Sequence, residues 1–246
     1  MFIGLGVLGL LLAGSLLIPV FDDHEDNRDD VVEDFEDEGA VSTEQGSPLD
    51  DVLRGTDESD LMESYAGDDR VDAGAGNDQV YAGAGRDQVW GGDGDDTLVG
   101  GDGSDAIASG NGNDFVEGSD GDDALSGGDG VDHLIGGDGN DVLSGGDDDD
   151  ADYLDGGADN DLLLGQDSDT LKGGTGEDTF WIEGAQVLIE DFNAASDVIV
   201  IGGCPPDAVV EVVGEANSTL IMVDGRIMAE LAGVTEFSPS SLRFVG

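Results

Sequence analysis

The sequence predicts an all-β repeat fold, a solenoid of short strands, and three observations predict it. From Gly55 to Trp181 the chain repeats every nine residues; the sixth residue of every unit is Asp; the eighth is always apolar. A fixed short period marks units that cannot bury an apolar face alone and do so by stacking on neighbours.

Ahead of the repeats, residues 1–21 are uncharged and mostly apolar, long enough to cross a bilayer as one helix. An N-terminal hydrophobic helix is expected there, as a membrane anchor or a signal-like segment. The anchor is favoured because a signal peptide wants a basic leading region and a shorter apolar stretch. Ala13-Gly14-Ser15 is only a weak cleavage-like site. Residues 22–51 hold 14 acidic side chains and one basic, which reads as a self-repelling, disordered acidic linker. His24 and Glu25 open an H-E-x-x-H pattern, but Arg28 stands where the second His belongs, which removes a metalloprotease site.

The repeat region, residues 52–181, contains fourteen units running from GTDESDLME at Gly55 to GGTGEDTFW ending at Trp181. Their sixth-position aspartates are Asp60, Asp69, Asp78, Asp87, Asp96, Asp105, Asp114, Asp123, Asp132, Asp141, Asp152, Asp161, Asp169 and Asp178. The eighth positions run from Met62 and Val71 through Leu98 and Leu143 to Phe180. Two units are irregular: 145–155 is stretched by two residues and 165–172 is shortened by one.

Each regularity has a physical cause. Small residues at positions one, two and four let the backbone turn sharply, enter the left-handed region and expose carbonyl oxygens to one centre. The Asp adds charge to that cage. Neutral carbonyls mixed with carboxylates in a flexible loop suit calcium better than the smaller, octahedral magnesium. The eighth residue sits on a short strand and points inward, its neighbours outward. One inward side chain per nine residues is a thin core, unable by itself to offset the ordering cost of a Gly-rich chain.

The pattern closely resembles the G-G-x-G-x-D-x-U-x repeats of the RTX, or repeats-in-toxin, family over Gly55 to Trp181, about half of the chain. The resemblance implies a calcium-bound parallel β-roll with two repeats per turn and ions held between the loops of repeats n and n+2. Asp60, Asp78, Asp96, Asp114, Asp132, Asp152 and Asp169 would then stack on one side, the other seven opposite. Glycines at positions two and four would lend carbonyls: Gly74, Gly76, Gly83, Gly85, Gly92, Gly94, Gly101, Gly103, Gly110, Gly112, Gly128, Gly130, Gly137 and Gly139. Glu58, Tyr65 and Gln166 stand where small residues are wanted. With the two irregular units, they weaken their local sites, so the best sites are expected between Ala73 and Ser144.

Residues 182–246 lose glycine and gain Val, Ile and Leu in short runs, expected as strands at 186–190, 197–201, 208–213, 218–223 and 226–231. Asp224-Gly225 is a two-residue hairpin turn. The run from Val187 to Ile201 is similar to the segment that follows RTX repeats in secreted bacterial proteins, which implies a small C-terminal β cap over the open end of the roll. In that family the extreme C-terminus also carries an export signal, which fits poorly with a hydrophobic N-terminus.

Composition bounds the function. The chain carries 59 acidic and 7 basic side chains, net −52, and needs a cationic counter-charge. Nucleic acid is excluded as a partner, because one Lys and six Arg scattered along the chain make no phosphate-binding patch. Cys204, the single cysteine, supports no intrachain disulfide and reads as a small buried residue. An enzyme is not expected: there is no nucleophile elbow, Walker motif or metal-His cluster, and of the two histidines His133 falls at outward position seven. The expected function is calcium binding that folds an extracellular or cell-surface structural or adhesive module, anchored by residues 1–21, with a surface glycan or envelope component as partner. The alternative is a non-catalytic accessory module of an exported hydrolase or sugar epimerase.

Overall fold

A computed structural model describes residues 42–205, 208–235, 237 and 239–245. The hydrophobic segment 1–21 and most of the acidic stretch expected to be linker lie outside these residues. Among the described residues no helix is long and apolar enough to cross a membrane.

The described residues form two facing sheets, one of twelve strands and one of ten, and through the repeats successive strands alternate between them. Every strand pair within the repeats is parallel, and partners lie 18 residues apart, as in Gln79 with Thr97 and Gln88 with Ala106. Two nine-residue units therefore make one turn of a parallel β-roll. Where the stretched unit intervenes the spacing becomes 20, His133 against Tyr153; where the short one does it becomes 17, Tyr153 against Thr170. Both irregularities are taken up in loops, and the strands keep register.

The inward row is the eighth position: all fourteen apolar residues from Met62 to Phe180 are fully buried. At roughly 25 cal/mol per Å² of apolar surface, each rung contributes only its own side chain, so stability accumulates along the axis rather than at a centre.

The roll begins before the expected boundary. Ser42–Gln45 pairs with Asp60–Glu63, and Val52–Arg54 with Arg70–Asp72. Residues 46–54 form a unit with Asp51 sixth and Leu53 eighth, both buried. One unit earlier the inward position is filled by Glu44, 6% exposed. An inward-pointing charge at the end strand opposes edge-to-edge pairing with another sheet.

At the other end both sheets continue past Trp181: Val187–Ile189 and Val198–Ile201 add parallel strands, and Leu242–Phe244 closes the ten-stranded sheet. Val210–Gly214, Ser218–Val223 and Arg226–Ala232 form an antiparallel meander that docks on Val187–Ile189. Asp224 and Gly225 both have positive φ, 51° and 79°, as the primed hairpin turn requires. Phe180, Phe192 and Phe237 pack in series over the last rungs, with ring centroids 6.1 and 5.7 Å apart. Cys204 is buried, and burial pushes its thiol above the ordinary value.

Candidate metal centre

The sixth-position aspartates sit where the chain leaves each loop and enters the next strand. All fourteen are at most 3% exposed. They form two columns. In the first, the backbone N–H of Asp60 donates to Oδ1 of Asp78 at 2.8 Å, and the relay continues through Asp96, Asp114, Asp132 and Asp152 to Asp169. In the second it runs from Asp51 through Asp69, Asp87, Asp105, Asp123, Asp141 and Asp161 to Asp178. Asp197 extends it at 3.4 Å. The first column holds the seven residues expected to stack together; the second holds the other seven, with Asp51 and Asp197 added at its ends.

Only one oxygen of each carboxylate is used in that relay. The other, Oδ2, is buried with no hydrogen-bond partner in ten of them: Asp69, Asp78, Asp87, Asp96, Asp105, Asp114, Asp123, Asp132, Asp141 and Asp161. A buried carboxylate oxygen without a partner is costly. Burial pushes these acids up, to about 6 for Asp69, Asp78, Asp87, Asp105 and Asp141 and about 7 for Asp96, Asp123, Asp132 and Asp161. Asp152 rises furthest, to about 8, with burial the main cause and the backbone donor opposing it.

Glycines hold the oxygens in place. All fourteen glycines expected to lend carbonyls have φ between 107° and 153°, a region that costs residues with a Cβ. Their carbonyls aim along the roll: a Cβ on Gly92 would lie 1.8 Å from the Gly74 oxygen, and one on Gly94 the same distance from the Gly76 oxygen. Position one, also expected to be left-handed, is not; it is small for space alone. A Cβ on Gly91 would lie 2.4 Å from Asp96 Oδ2 and 2.6 Å from the Ser109 carbonyl oxygen of the next turn. Left-handed backbone is also borne by Tyr65 and Ser119 at position two, with φ of 75° and 87°, so neither residue stops its loop from closing.

Among the described residues no three His, Cys, Asp or Glu side chains gather as a metal cluster. A cation here has to be held by carboxylates completed with backbone carbonyls, the donor set hard cations such as calcium take. The orphaned buried oxygens and the carbonyls crowding beside them fit that group.

Sequence reasoning missed three features. Asp51 was hidden because its unit, GSPLDDVLR, lacks glycine at positions two and four, although Asp and Leu hold their positions. Position-one carbonyls such as that of Ser109 left no side-chain signal. Position five forms an outer ladder in which Asn113 donates its N–H and its side-chain amide to Asp95 Oδ1 at 2.9 and 3.1 Å, and Asn140 does the same to Asp122. These donors hold the Asp95 and Asp122 carboxyls below the ordinary value. The recurrence of Asn and Asp at position five was the available signal. His133 faces outward as expected, but it is sandwiched between Phe115 and Tyr153, with centroids 5.3 and 4.8 Å away.

A family model described as the RTX calcium-binding nonapeptide repeat, four copies, matches residues 45–80, 73–107, 81–116, 99–134, 117–151 and 164–181. The matches together span about half of the chain. No curated protein matches it.

Proposed function

This chain belongs to the RTX calcium-binding nonapeptide repeat family, and from that premise we propose that it is an extracellular structural or adhesive module whose roll folds on calcium. The observation that carries the reading is the set of ten buried Asp Oδ2 atoms without a partner. Calcium supplies the positive charge those oxygens lack, and the chain supplies the cage: Asp carboxylates from the sixth position, and carbonyls of Gly74, Gly76, Gly92, Gly94 and their equivalents, fixed by left-handed backbone.

The charge supports the same reading. Residues 55–181 carry 35 acidic and 3 basic groups, a repulsion that opposes compaction until cations bind. Sites with dissociation constants near 10⁻³ M, as in extracellular modules, contribute about 0.4 to 1.4 kcal/mol each between millimolar and 10 mM calcium. Submicromolar calcium inside a cell contributes almost nothing, so the chain folds on reaching the outside. Attachment at a surface through residues 1–21, and a glycan or envelope partner, complete the proposal.

Circular dichroism and calorimetry titrated with calcium, then reversed with EDTA, test it. Strand content should rise with calcium, with several ions bound per chain; a compact, protease-resistant roll in chelator at pH 8 overturns it.

A further inference from the structure

The sixth-position carboxylates are not equivalent. In the ten that keep Oδ2 without a partner, the residue four places earlier, at position two, always has φ between 75° and 123°. Glycine supplies that backbone in eight of them, Tyr65 and Ser119 in the other two. No N–H then reaches Oδ2.

Four end rungs behave differently. Ser47, Thr56, Gln166 and Asn193 hold the equivalent position without positive φ, and the backbone N–H of each donates to Oδ2 of its own Asp. Thr56 donates to Asp60 at 2.6 Å, Gln166 to Asp169 at 2.7 Å and Asn193 to Asp197 at 2.7 Å, and Ser47 donates to Asp51 in the same way. Hydroxyls reinforce the closure: Thr56 Oγ1 donates to Asp60 Oδ2 at 3.2 Å, and Ser196 Oγ to Asp197 Oδ1 at 2.7 Å. Asp152 and Asp178 belong to neither set.

We propose that position two decides which rungs take an ion: left-handed backbone there leaves the carboxylate open for calcium, whereas Ser47, Thr56, Gln166 and Asn193 close Asp51, Asp60, Asp169 and Asp197 onto the chain itself. The reason is competition for one oxygen. An N–H at 2.6 to 2.7 Å takes one of the two lone pairs on the oxygen that calcium would bind, and a carboxylate already accepting backbone donors leaves a smaller desolvation deficit for an ion to relieve. The closed rungs sit at or near the column ends. They act as protein-built stops, so the roll keeps these rungs ordered without an ion.

This inference rests on the proposed function and narrows it. Of the fourteen Asp residues expected to hold calcium, Asp60 and Asp169 are excluded. Calorimetric calcium stoichiometry on the full chain tests it. The variant combining Asp51→Asn, Asp60→Asn, Asp169→Asn and Asp197→Asn keeps an oxygen for the N–H and removes the charge, and it should retain the wild-type ion count. The variant combining Asp96→Asn and Asp123→Asn should bind fewer ions. Asp169→Asn alone gives the same comparison if the fourfold variant does not compact in calcium. Wild type binding several ions, with equal loss in both variants, overturns this inference alone; a wild-type count of zero or one overturns the proposed function and this inference with it.

Discussion

The backbone N–H of Asp132 donates to Oδ1 of Asp152 at 2.8 Å although 20 residues separate them, where 18 separate every regular pair in the column. The two extra residues are accommodated in the acidic loop 147–150, in which Asp148 Oδ2 accepts the Gly130 N–H at 2.7 Å and Asp148 Oδ1 accepts the Asp150 N–H. Removing residues 149 and 150 should therefore leave the ladder intact. Expected is a change in calcium-saturated stability within about 1 kcal/mol, the scale of a surface change that touches no core group. A urea midpoint falling as far as that of a core truncation contradicts it.

Leu134 supplies such a truncation. It is fully buried between Val116 and Leu154 on the inward row, and Leu134→Ala should cost about 2–5 kcal/mol in saturating calcium. Because the stack is quasi-linear, opening should spread to neighbouring turns first, which amide hydrogen exchange resolves turn by turn.

Glycine positions should separate by geometry. Gly101 has φ 116° and its added Cβ would lie 1.9 Å from the Gly83 oxygen, whereas a Cβ on Gly214 meets nothing within 4 Å. Gly101→Ala should raise the calcium needed for folding and destabilise by at least 1–3 kcal/mol, while Gly214→Ala stays within about 0.5 kcal/mol. Equal calcium midpoints for the two variants would show that the loop backbone does not matter.

The buried acids set a pH dependence. Their folded values are raised to about 6–8, above the ordinary carboxylate value. Protonation thus favours the ion-free roll; that contribution is complete below pH 4 and is lost as pH rises through 6 to 8. Without calcium, compactness should be greatest in mild acid and decline toward pH 8. With calcium the sign reverses, since ions need the ionised form: affinity should rise from pH 5 to 8, with proton release on binding. Calorimetry at pH 6.5 in buffers of different ionisation enthalpy measures that release, and none would contradict the raised values.

The aromatic stack offers a smaller test. His133 lies nearly parallel to Phe115 and Tyr153, at 10° and 9°. His133→Ala should lose about 0.5–1.5 kcal/mol, most of it restored by His133→Phe; equal loss in both variants would assign the effect to something other than ring stacking.

By itself the sequence determined the period, the inward row from Met62 to Phe180 and the Asp positions, while the two columns were implied by the family resemblance. Each of these is a residue type forced by one local requirement: an apolar side chain inside, a carboxylate at the loop exit, or a residue without a Cβ where φ is positive. The tertiary structure decided what depends on atoms 18 residues away. Which Asp oxygen is spent on a neighbouring turn, that position one is small for space beside the Ser109 carbonyl of the next turn, and that Glu44 and Asp51 belong to the roll all follow from the stacking of turns. A nine-residue string fixes the chemistry of each rung, but a hydrogen bond between turns exists only once the turns lie side by side.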